Sequence, residues 1–74
     1  MSQIEKLIEK LKNAKGEASA RDIENLLRHM GFVKDRQRGS HVLFCREGMM
    51  VGFPVHDGMV KIGYIKMIFQ RLEI

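Results

Sequence analysis

The sequence predicts one α+β domain in the order α-α-β-β-β-α, a three-stranded antiparallel sheet with its helices on one face. Three observations predict it. Apolar residues recur at helical spacing in the first 31 residues and again near the end. Between them the pattern changes to the two-residue alternation of strands, and glycine turns divide that middle stretch. A chain of 74 residues has room for a single core and buries about 60% of its unfolded surface. Residues 1–74 are therefore expected to form one domain, with any chemistry on a surface or in a shallow groove.

The first helix is expected over residues 2 to about 14, within an N-terminal segment 1–16. Ser2 and Glu5 have the spacing of a capping box, in which each side chain satisfies a free backbone N–H. Ile4, Leu7, Ile8 and Leu11 follow as one apolar stripe, and Gly16 supplies the stop. The second helix, near 19–30, repeats the design. Ser19 and Asp22 open it, Ile23, Leu26, Leu27 and Met30 make the stripe, and Gly31 ends it. The pair forms a helical hairpin, or a helix with another appended.

After Gly31 the period changes. Residues 32–38 alternate loosely, Gly39-Ser40 is a turn signal, and residues 41–46 are rich in strand formers. Glu47-Gly48 marks another turn, and residues 49–55 alternate cleanly, with Pro54 where a strand end tolerates its missing N–H. The polar stretch His56-Asp57-Gly58 leads to a last helix near 63–72, carrying Ile65, Ile68, Phe69 and Leu72.

Two-residue turns fix the register. With Glu47-Gly48 as the turn, Arg46 faces Met49, Phe44 faces Val51 and Val42 faces Phe53. Val42, Phe44, Met49, Val51, Phe53 and Val55 then share a core face. With Gly39-Ser40 as the other turn, Arg38 faces His41, Arg36 faces Leu43 and Lys34 faces Cys45. The open face is thus expected to show Lys34, Arg36, Arg38 and His41 together, with Asp35 and Gln37 turned awkwardly toward the helices.

Apolar residues make up 45% of the chain and charged residues 30%, an ordinary globular balance. No apolar run approaches the ~18 residues of a membrane span. The start Met1-Ser2-Gln3-Ile4-Glu5 has no signal-peptide block. The single cysteine, Cys45, leaves no internal disulfide framework. A soluble, cytoplasmic protein without a membrane partner is expected. Net charge is +4, and its distribution is uneven. Residues 1–31 hold six basic against five acidic residues, and residues 32–74 hold seven against four. Cations alternating along one strand form either an ordinary solvated face or a surface for phosphates.

His41 is the strongest candidate for chemistry, because a histidine takes and gives protons near neutral pH. The bland reading is a surface histidine of no consequence. Cys45 is no partner for it, since four residues of strand span ~13 Å. The three histidines and one cysteine show no zinc spacing, so neither a metal nor another cofactor is expected. His29 sits off the apolar stripe of the second helix.

Several runs together resemble the HicA toxin family. They are Asp22-Ile23-Glu24-Asn25-Leu26-Leu27, Gly31-Phe32, Arg36-Gln37-Arg38-Gly39-Ser40-His41, Phe53-Pro54-Val55-His56 and Gly63-Tyr64-Ile65-Lys66-Met67-Ile68-Phe69. The resemblance covers roughly residues 19–74. It implies an α-β-β-β-α fold like the double-stranded-RNA-binding domain, here with an extra N-terminal helix. It also implies mRNA interferase activity, a HicB-type antitoxin partner, and His41 as the catalytic residue. Val42 stands where a second histidine is common, and His56 is expected to hold the loop before the last helix.

RNA supplies its own nucleophile, the 2′-hydroxyl. A metal-free endoribonuclease then needs a proton-transfer group and cations for the phosphate. His41 is the expected general acid and base, with Lys34, Arg36, Arg38, Gly39, Ser40 and Lys61 as the RNA-binding set. Two alternatives remain open: a non-catalytic RNA-binding domain of the same fold, and a protein-interaction module using the same sheet face.

Overall fold

Each apolar stripe becomes a helix in the computed structural model, which describes residues 2–74. Met1, part of the expected N-terminal segment, lies outside the described residues. Helix α1 spans Gln3–Lys12, and the Ser2 hydroxyl accepts from the Glu5 N–H at 3.2 Å. A short strand β1, Glu17–Ser19, follows, then α2, Ala20–His29. Strands β2 (Val33–Arg38), β3 (His41–Arg46) and β4 (Met49–Pro54) form one antiparallel sheet in the order β2-β3-β4. A further short strand β5, Met59–Lys61, leads into α3, Ile62–Leu72.

The expected register holds between β3 and β4, where Val42 pairs with Phe53, Phe44 with Val51 and Arg46 with Met49. The turn at Glu47-Gly48 has positive φ at both residues, 48° and 85°. That is the backbone a two-residue hairpin needs to follow the strands' right-handed twist. Val42, Phe44, Val51 and Phe53 are buried on the helix side, with Met49 and Val55 packed at the margin. The Phe44 and Phe53 rings stack with centroids 6.1 Å apart. Ile23, Leu26 and Leu27 of α2 and Ile65, Ile68 and Phe69 of α3 pack against them in the same core.

The structure corrects the reading of β2. A bulge falls between Lys34 and Arg36, so Lys34 pairs with Phe44 and Val33 with Cys45, while Arg36–Leu43 and Arg38–His41 stand as expected. Lys34 therefore leaves the open face. It joins Gln37 on the helix side, where Lys34 Nζ donates to Gln37 Oε1 at 2.9 Å. Asp35 is the extra residue of the bulge, without a cross-strand partner, and its carboxylate pairs with Arg36 Nε at 3.0 Å.

Three further differences concern the first 22 residues. Strands β1 and β5 pair antiparallel, Ala18 opposite Val60, a ladder too short to leave an alternation in sequence. Backbone bonds from Ala20 N to Gly58 O and from Ile62 N to Gly16 O extend this tie. Helix α1 is no loose appendage, because Leu11 is only 1% exposed and sits in the common core. Asp22 does not complete a capping box at α2. Ser19 accepts from the Arg21 N–H, and Asp22 instead reaches Lys10 of α1 at 3.0 Å.

Candidate nucleic-acid interface

Cross-strand pairing arranges the open face of the sheet in three rows. Val33, Cys45 and Met50 form one, Arg36, Leu43 and Gly52 the next, and Arg38, His41 and Pro54 the last. Val33 is 61% exposed and Met50 40%, so the first row presents apolar surface to solvent. Cys45 between them is half-buried. The remaining two rows surround a depression of about 250 Å³ lined by Arg36, Arg38, His41, Val42, Leu43 and Gly52.

His41 opens β3 immediately after the Gly39-Ser40 turn, and its side chain is exposed. Gly39 takes φ 56° and begins the turn, a conformation in which a side chain would be strained. The Ser40 carbonyl accepts from the Val55 N–H at 2.7 Å, anchoring the turn to the chain beyond β4. Directly opposed strand residues have Cβ atoms about 4.5–5.5 Å apart, so Arg38 is a near neighbour of His41, and Arg36 is diagonal to it. Among the described residues, Arg36 is partly neutralised by Asp35, whereas Arg38 has no carboxylate partner.

The expected cationic set is thus divided. Arg36, Arg38 and His41 come together, with Gly39 and Ser40 beside them. Lys34 is on the other face, and Lys61 ends β5 in the separate two-stranded sheet, away from the depression. Arg46 takes a structural place. Its guanidinium donates to the Met30 carbonyl at the end of α2 and lies 4.7 Å from the Phe32 ring centroid.

His56 closes the loop before α3 through its backbone. Its N–H and C=O both bond Met59 across the Asp57-Gly58 turn, at 3.0 and 2.9 Å, while the side chain is exposed. His29 is exposed at the end of α2. Among the described residues no group of three His, Cys, Asp or Glu side chains gathers as a metal site. No described helix is long and apolar enough to cross a membrane.

Leu43 stands opposite Arg36 on this face, as the turn arithmetic expects, whereas sequence reading missed Gly52 as a member of it. Gly52 carried a signal, since a glycine inside a strand pattern often marks close approach by another group. A protein-family model described as "HicA toxin of bacterial toxin-antitoxin" matches residues 20–74, everything from α2 onward. No curated protein and no solved structure matches the chain.

Proposed function

The chain belongs to the HicA toxin family of bacterial toxin–antitoxin systems, and from that premise we propose that it is a metal-independent endoribonuclease that cleaves mRNA with His41. The observation that carries the reading is an exposed imidazole directly opposite an arginine, Arg38, that has no carboxylate partner among the described residues, on the open sheet face. In this mechanism the His41 imidazole accepts the proton of a ribose 2′-hydroxyl. The 2′-oxygen attacks the adjacent phosphorus, the P–O5′ bond breaks, and the departing 5′-oxygen takes the proton back from the His41 imidazolium. The products are a 2′,3′-cyclic phosphate and a 5′-hydroxyl. Arg38 and Arg36 offset the charge that grows on the phosphoryl oxygens.

The family implies an antitoxin partner; we assign it as a HicB-type protein and the site of action as the cytoplasm. A non-catalytic RNA-binding domain is the second reading. It draws on the depression itself, whose lining holds one group suited to proton transfer near neutral pH. The deciding experiment incubates the purified chain with single-stranded RNA and with a 2′-deoxy copy, in EDTA. Cleavage of the RNA alone, leaving 2′,3′-cyclic phosphate ends, is the expected result. An intact RNA that is nevertheless bound would establish the second reading.

A further inference from the structure

We propose that Leu43 and Gly52 form a nucleobase subsite beside His41, so that the strand this face takes is single-stranded RNA with one base turned into the sheet. The proposal rests on the reading of this face as the RNA-cleaving surface. The depression has a floor of the Leu43 side chain and the backbone of Val42 and Gly52, and a rim of Arg36, Arg38 and His41. A flat apolar floor with guanidinium groups at its edge fits a planar aromatic ring bearing a phosphate. Bases stack on apolar side chains and on arginine planes, while cations follow the backbone.

Gly52 makes the floor accessible. It pairs with Leu43 in mid-strand, and a Cβ there would stand 3.3 Å from Leu43 Cδ1. Its φ lies outside the left-handed region, so no backbone conformation demands glycine at this position. What the missing side chain provides is room for the end of Leu43 to lie across the strand, low against the sheet. Two strand steps take the chain from His41 to Leu43, about 6.6 Å, which is within one nucleotide's reach from phosphate to base. A duplex cannot use this floor, because its bases stay paired and stacked and only sugars and phosphates face outward.

The test measures equilibrium binding of strands that cannot be cleaved: a 2′-O-methyl single-stranded decamer, an abasic decamer with the same backbone, and a 2′-O-methyl duplex of equal length. The wild-type chain should bind the single strand about tenfold more tightly than the abasic strand. Gly52→Val fills the floor with a residue that suits a strand, and only the flexible end of Leu43 has to move. It should remove the preference while leaving abasic binding unchanged. Gly52→Ser answers the same question should the valine fail to fold. Equal wild-type affinity for single and abasic strands, or for single strand and duplex, overturns the proposal. So does a folded Gly52 variant that keeps the full preference. Because these strands are inert, base-dependent binding without cleavage of ordinary RNA would sustain the subsite and defeat the nuclease reading; cleavage without base dependence would do the reverse.

Discussion

Lys34 and Arg36 stand two positions apart in sequence and on opposite faces of the sheet. The cause is a conflict of parity. Phe32, Lys34, Arg36 and Arg38 all occupy even positions, and an unbroken strand would place them on one side. Phe32 is 1% exposed, whereas Arg36 and Arg38 lie in solvent. Burying a phenylalanine contributes about 1.5–3 kcal/mol, more than the ~1 kcal/mol of a lost ladder hydrogen bond. An extra residue in the edge strand satisfies both ends, and the bulge follows.

The bulge separates the cations into two classes that a titration with salt distinguishes. Arg36→Gln with Arg38→Gln should weaken RNA binding and lower the slope of log affinity against log salt by up to about two. Lys34→Gln, on the far face, should leave that slope unchanged. A Lys34 variant as damaging as the arginine pair would show that RNA contacts the helix side of β2.

Much of the fold was legible because its signals are redundant. The β3–β4 register is specified twice, by the turn residues Glu47-Gly48 and by the alternation of Val42, Phe44, Val51 and Phe53. The β2 register rests on the Gly39-Ser40 turn alone, and it holds only as far as Arg36. Nothing local marks Asp35 as the extra residue. Strands β1 and β5 have three residues each, fewer than an alternation needs. At the candidate site, His41, Arg36 and Arg38 were readable from strand parity near the turn. The same parity sets Arg46 apart, opposite Met49 on the helix side, but its contact with the end of α2, sixteen residues earlier, leaves no local signal.

That role gives a second prediction. Arg46→Met removes the donor to the Met30 carbonyl and the cation over Phe32. The loss should be about 1–3 kcal/mol, since a hydrogen bond to a charged group contributes on that scale. It should appear as a lower urea midpoint with an unchanged salt slope for RNA. A variant of wild-type stability with weakened RNA binding would show that Arg46 contacts RNA instead.

The N-terminal helix precedes the residues shared with the family, yet it is expected to be integral to stability. Leu11→Ala should cost about 2–5 kcal/mol, as buried leucines do. At this size each 1 kcal/mol lowers the thermal midpoint by about 4–8 °C. Lys10→Ala breaks only an ion pair whose lysine side chain is 71% exposed, and it should change the midpoint little. A Leu11→Ala protein melting with the wild type would show that α1 detaches without consequence.

The antitoxin should lie over His41 or its approach. The depression is open and has no lid among the described elements, so the most direct block is a partner that covers it. The expected signature is protection of amides 36–43 from hydrogen exchange in the complex. An inhibited complex in which these amides exchange as in the free chain would require blocking from elsewhere.

The last prediction separates folding, binding and chemistry at one residue. His41→Ala should leave stability within about 0.5 kcal/mol, because the side chain is exposed and its removal opens no core cavity. RNA affinity should persist, since Arg36 and Arg38 remain on the same face to meet the phosphates. Cleavage should fall by about 10²–10⁴-fold, the usual contribution of a positioned proton-transfer group, and growth inhibition should fall with it. Three measurements on one purified variant check this: a urea melt, a salt titration of binding to an uncleavable strand, and single-turnover cleavage in EDTA. Arginine alone cannot sustain the wild-type rate, because it stays protonated and cannot accept the 2′-hydroxyl proton. A folded His41→Ala protein cutting RNA at the wild-type rate would therefore place the proton-transfer group elsewhere and end the mechanism proposed for this face.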